Sequence, residues 1–114
     1  MIEQIFPGDF ANWLERMAPH GQPIVLDVRE PYELQTASIK PAPGFTLVHI
    51  PMGVIPPRLH ELDPKRPTAC LCHHGARSMR VAAFLEHQGF NRVANITGGI
   101  NAWAMQLDPS VPRY

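Results

Sequence analysis

The order of elements along this chain predicts an α/β domain, with a mainly parallel sheet covered by helices on both faces. Two observations carry the prediction. Strand-like apolar runs alternate with segments of helical periodicity, and Ile24–Leu26 lacks the alternation of a half-exposed strand, as expected when both faces are buried. In folds of this kind the functional site lies outside the carboxyl ends of the strands.

The elements follow in order. Phe10, Trp13, Leu14 and Met17 repeat at the spacing of one helical face, so a helix is expected over 7–17. Pro19, Gly21 and Pro23 end it, and Ile24 to Val28 form the first clear strand. Pro31 suits the first position of a short helix through Leu34. Lys40 to Gly44 reads as loop and Phe45 to Ile50 as a strand. Pro56 and Pro57 open a helix carrying Leu59 and Leu62, which Asp63, Pro64 and Pro67 close before the apolar strand Thr68 to Cys72. Arg77 to Gln88 places Val81, Phe84 and Leu85 on one face and stops at Gly89. A last strand, Arg92 to Ile96, precedes Gly98, Gly99 and a short helix around Ala102 to Met105.

Bulk properties limit the function classes. At 114 residues, 45% hydrophobic and 18% charged, the chain is expected to form one globular domain with one core, over 1–114. Ten basic and ten acidic side chains cancel, which removes the long-range attraction typical of nucleic-acid or anionic-membrane binders. Residues 1–17 lack the basic region and continuous apolar stretch of a signal peptide or anchor, so a cytoplasmic location is expected. Two cysteines two residues apart on an extended segment have poor geometry for a disulfide and suit a reducing compartment. The thirteen prolines, about twice the usual frequency of roughly 5%, are dispersed as loop stiffeners and helix starters.

The chemistry concentrates at one point. Cys72 ends a buried strand and is followed by His73, His74, Gly75, Ala76, Arg77 and Ser78, where a helix begins. Amides of a tight loop opening a helix converge as an anion nest at the positive end of the helix dipole. That field favours a thiolate, as do Arg77 and any protonated histidine; Gly75 supplies the backbone freedom the turn requires. Cys70, inside the apolar strand, reads as a small buried hydrophobe.

The run C-H-H-G-A-R-S over 72–78 resembles the active-site loop of single-domain rhodaneses. I-V-L-D-V-R-E-P-Y-E over 24–33, H-I-P-M-G over 49–53 and T-G-G-I-N-A-W over 97–103 look like further segments of that family, in the same order. One departure is Ser38 before Ile39, where the family often has histidine. The resemblance implies a rhodanese-like α/β fold with about five short strands, and a sulfurtransferase that moves a sulfane sulfur from a donor such as thiosulfate to cyanide or a thiol. Cys72 would be the nucleophile carrying the persulfide, with His73, His74, Gly75, Ala76, Arg77 and Ser78 forming the substrate-binding loop. Asp27 and Arg29 would support that loop, or else form an ion-paired strand end that orders the fold without touching substrate. No cofactor or metal is expected, and the partners implied are a small sulfur-containing anion and its acceptor, with a protein donor or acceptor also open.

Three other readings fit the residues less well. A cysteine phosphatase uses the same thiolate and amide cradle with C-x5-R spacing, whereas Cys72 to Arg77 is C-x4-R, one residue tighter and better suited to a single sulfur atom. Cys70, Cys72, His73 and His74 are too close together in sequence to converge readily on one tetrahedral metal ion. A non-catalytic binding module on the same fold would be expected to have lost Cys72, Gly75 or Arg77, and all three are present.

Overall fold

The computed structural model describes residues 2–114. Five strands form one sheet: β1 (Glu3–Ile5), β2 (Ile24–Asp27), β3 (Thr46–His49), β4 (Thr68–Leu71) and β5 (Val93–Ile96), in the spatial order β1-β5-β4-β2-β3. Every pairing is parallel. Four α-helices connect them: α1 (Phe10–Met17), α2 (Pro31–Thr36), α3 (Ala76–His87) and α4 (Gly99–Gln106). None is long and apolar enough to cross a membrane, among the described residues.

The three inner strands β2, β4 and β5 are buried at every position, which is why their sequences do not alternate. Side chains of successive strand residues leave the sheet on opposite faces and so divide the core in two. On one face Val25, Ala69, Leu71, Ala94 and Ile96 pack under α1 and α4, against Phe10, Trp13, Ile100 and Trp103. The Phe10 ring meets Phe45 and Trp103 edge-on, at centroid distances of 5.3 and 5.0 Å. On the other face Ile24, Leu26, Cys70, Cys72 and Val93 pack under α3, through Val81, Ala82 and Leu85, with Ile50, Ile55 and Leu62 alongside.

The differences from expectation sit at element ends. Pro7–Asp9 is a 3-10 turn that leads into α1. The Pro56–Glu61 segment is a 3-10 helix instead of an α-helix, with prolines in its first two positions and Pro64 just beyond its end. α2 extends to Thr36, and α4 starts at Gly99, three residues before the expected position. β1 was not anticipated: three residues are too short for a periodicity signal, and the strand exists because β5 offers it an edge, with Glu3 opposite Ala94. Its pairing completes the five strands that the family resemblance implied.

Trp13 is 1% exposed and anchors α1 to the sheet. Trp13→Ala should reduce the unfolding free energy by about 3–5 kcal/mol. Urea denaturation would show this as a lowered midpoint; a loss below about 1 kcal/mol would mean that α1 contributes little to the core.

Candidate active site

Cys72 follows the last residue of β4, at the carboxyl end of the sheet, and its side chain lies on the α3 face. The residues after it turn sharply. Gly75 adopts φ +110° as the residue preceding α3, a conformation open to glycine, and its N–H donates to Cys72 Sγ at 3.0 Å. Ser78, on the first turn of α3, places Oγ 3.2 Å from the same sulfur. The carbonyls of Cys72 and His73 accept the N–H groups of Ile100 and Asn101, at 2.8 and 3.1 Å. Gly99 makes this approach possible: a Cβ there would lie 2.4 Å from both carbonyl oxygens.

A charged network stands beside the loop. Asp27 at the end of β2 and Arg29 just after it form a buried ion pair, with Nη2 to Oδ2 at 2.7 Å and residue exposures of 3% and 0%. Burial opposes the charge of Arg29, and hydrogen bonds to Asp27 and Tyr114 outweigh that and raise its pKa. His49 on β3 braces the segment by donating from Nε2 to the Arg29 carbonyl, at 2.7 Å. On α2, Glu33 accepts two hydrogen bonds from Arg77, at 2.7 and 2.8 Å, one from the Glu30 N–H and one from the Tyr114 hydroxyl. The Tyr114 oxygen in turn accepts from Arg29 Nη1 at 3.0 Å, so the two ion pairs join through one phenol.

The structure brings Cys72, Gly75 and Ser78 into direct contact and pairs Arg77 with the buried Glu33. Its guanidinium is therefore committed to a carboxylate instead of standing free beside the sulfur. His74 is exposed, whereas His73 is half-buried, sandwiched between His74 and Tyr114 at centroid distances of 3.9 and 3.8 Å. Burial, together with neighbouring His74, pushes the His73 pKa down and keeps the ring neutral at neutral pH. Asp27 and Arg29 pair with each other behind the loop. Cys70 is wholly buried, and burial pushes its thiol pKa up, so it stays protonated.

Three residues of the site escaped sequence reasoning. Glu33 carried a usable signal, since a glutamate three residues after Glu30, with Pro31 between them, marks a helix start. Asn95, mid-strand on β5, contacts Ser78 at 2.5 Å. Tyr114 stacks on His73 from 41 residues away in sequence. Neither of the last two shows any local pattern.

The family model for the rhodanese-like domain matches residues 10–106. The chain is 37% identical to a sulfurtransferase of Allochromatium vinosum over 97% of its own length and 96% of that protein. It is 45% identical over 92 residues to the rhodanese-like/PpiC domain-containing protein 12 of Arabidopsis thaliana, of which it spans 30%. Among solved structures, a rhodanese-related protein from Thermoplasma volcanium superimposes with a TM-score of 0.76 at 28% identity, covering 98% of this chain and 99% of that one.

The Glu33–Arg77 pair has a pH signature. Arg77 holds the Glu33 carboxyl at about 2, below its ordinary 4.5. A depressed carboxyl stabilises the fold fully above the ordinary value and loses that contribution as pH falls through the folded-state value. The wild type should therefore lose about 2–3 kcal/mol between pH 5 and pH 2 that Glu33→Gln does not lose. Parallel stability profiles from urea titrations would show that the pair contributes nothing.

Proposed function

The chain belongs to the rhodanese-like family, and from that premise we propose that it is a sulfurtransferase, carrying a sulfane sulfur as a persulfide on Cys72 between a donor such as thiosulfate and a thiophilic acceptor. One observation carries the reading: a buried strand delivers Cys72 Sγ to a point where a glycine amide and a serine hydroxyl already meet it. Donors aimed at a sulfur stabilise it as an anion, and the first turn of α3 adds its unpaired amides and dipole.

The reaction runs in two displacements. The Cys72 thiolate attacks the outer sulfur of thiosulfate; the Sγ–S bond forms as the donor S–S bond breaks, and sulfite leaves with the electron pair. Cyanide or a thiolate then attacks the outer sulfur of the persulfide, and Cys72 departs as the thiolate. No net oxidant or reductant is needed with cyanide. Charge on the donor is met by loop amides from His73 to Ser78, since both Arg77 terminal nitrogens are held by Glu33. That commitment also supports sulfur transfer over phosphate ester hydrolysis, because the loop presents no free guanidinium to a phosphate. A protein donor or acceptor would use the same loop, His74 being its exposed imidazole.

Intact mass should rise by one sulfur atom after incubation with thiosulfate and return to the starting value after cyanide. Cys72→Ser should do neither; retention of sulfur loading in that variant would assign the nucleophile elsewhere. Arg77→Ala leaves the Glu33 carboxylate buried without its cation, which should cost about 3–5 kcal/mol of stability. It should also slow loading and unloading by similar factors in single-turnover kinetics. A selective loss of loading from thiosulfate would instead give Arg77 a direct contact with the donor.

A further inference from the structure

The hydroxyl of Ser78 faces more acceptors than it has protons. Its oxygen lies 3.2 Å from Cys72 Sγ, 3.2 Å from the Gly75 carbonyl and 2.5 Å from Asn95 Oδ1. Which acceptor holds the proton follows from the neighbours of Asn95. The Asn95 amide group has two acceptors on its other side, Gln4 Oε1 at 3.0 Å and the Gly75 carbonyl at 3.4 Å. A backbone carbonyl cannot donate, so the NH2 must face that side. Gln4 is oriented in the same way: its NH2 donates to Met79 Sδ, and its oxygen faces Asn95. Asn95 therefore presents its carbonyl oxygen to Ser78, and two oxygens 2.5 Å apart need a proton between them. Ser78 supplies it and turns a lone pair toward the sulfur.

We propose that Asn95 is a positioning residue that withholds the Ser78 proton from Cys72, making the hydroxyl a two-position toggle. While Cys72 is a thiol, its S–H donates to Ser78 Oγ, and Ser78 donates to Asn95. When the sulfur loses its proton to solvent, the Ser78 hydroxyl rotates to donate a hydrogen bond to the thiolate while keeping its proton, and leaves Asn95 Oδ1 without a donor. Ser78 is 0% and Asn95 4% exposed, so water does not freely replace the lost bond, and each ionisation of Cys72 is opposed by that loss. This rests on and deepens the sulfur-transfer reading, in which the sulfur must be anionic to attack the donor.

Other groups around the sulfur are unchanged by the test. Cys70 on β4 and Arg77 on α3 act on it electrostatically, and His73 and His74 precede Gly75. Asp27 on β2 is paired with Arg29, while β5, α4 and the turn Met52–Val54 contribute no titratable side chain. The measurement is thiolate ultraviolet absorbance against pH, on protein never exposed to a sulfur donor, with Cys72→Ser as the blank. Asn95→Leu, or Asn95→Ala should the first fold poorly, frees the Ser78 proton for the sulfur and should raise the thiolate-to-thiol ratio about tenfold. Ser78→Ala removes the donor and should lower that ratio about tenfold, and Asn95→Asp, which holds the proton harder, should lower it too. Adding Asn95→Leu to Ser78→Ala should change nothing further. A ratio that falls or stays constant in both Asn95→Leu and Asn95→Ala, or a rise that persists without Ser78, overturns the proposal. Failure to form a persulfide leaves these absorbances unaffected and counts only against the sulfur-transfer reading.

Discussion

Two backbone carbonyls, those of Cys72 and His73, are bound by the Ile100 and Asn101 amides in the first turn of α4, and the rest of the site is arranged around that clamp. A carbonyl beside the sulfur would repel an anion, whereas one engaged by a helix N-terminus leaves the following amides to face it. The clamp closes only because residue 99 has no Cβ, since any side chain there would occupy the space of both oxygens. The helix end contributes its unpaired donors, the loop its unpaired acceptors, and each satisfies the other's unmet hydrogen bonds.

The ionic network acts one step further out. Asp27–Arg29 and Glu33–Arg77 are largely removed from solvent on their acidic sides, so breaking either pair would strand a charge. Such pairs contribute little net stability over apolar residues of similar size, but they accept few alternative geometries. Arg77 lies in the first turn of α3 and Glu33 in the first turn of α2, where it also accepts from the Glu30 N–H, so their bidentate contact ties two helix starts together. Tyr114 extends the same logic to the loop by stacking its ring on His73 while its oxygen bridges Arg29 and Glu33. A neutral His73 suits this sandwich, because a charged ring would need the water that Tyr114 excludes.

Much of this arrangement was legible in the residues. The apolar runs of β2 and β4 and the 3.6-residue period of α1 and α3 reflect local burial, and Cys72, Gly75 and Ser78 come together because they are close in sequence on a turn. Arg77 shows where such reasoning stops. A cation in a loop that opens a helix reads as a ligand for an anion from outside the chain, whereas the structure pairs it with a glutamate 44 residues earlier. Sequence proximity placed it near the sulfur; the tertiary fold, which brings Glu33 of α2 to the first turn of α3, determined which charge it meets. The same limit applied to β1, whose three residues carry no periodic signal and acquire strand geometry only from the β5 edge.

Hydrophobic patterning and turn chemistry act over a few residues, and they alone were enough to set the alternation of strands and helices, the position of Cys72 at a strand end and the glycine-dependent turn after it. Asn95, Glu33 and Tyr114 depend on something that range cannot supply. Asn95 and Glu33 reach the loop through hydrogen bonds to Ser78 and Arg77, across 17 and 44 residues of chain, and Tyr114 reaches it by stacking on His73. A sheet ordered β1-β5-β4-β2-β3 puts β5 on one side of Cys72 and β2 on the other, and that juxtaposition has no counterpart in local sequence because strands adjacent in space are distant along the chain.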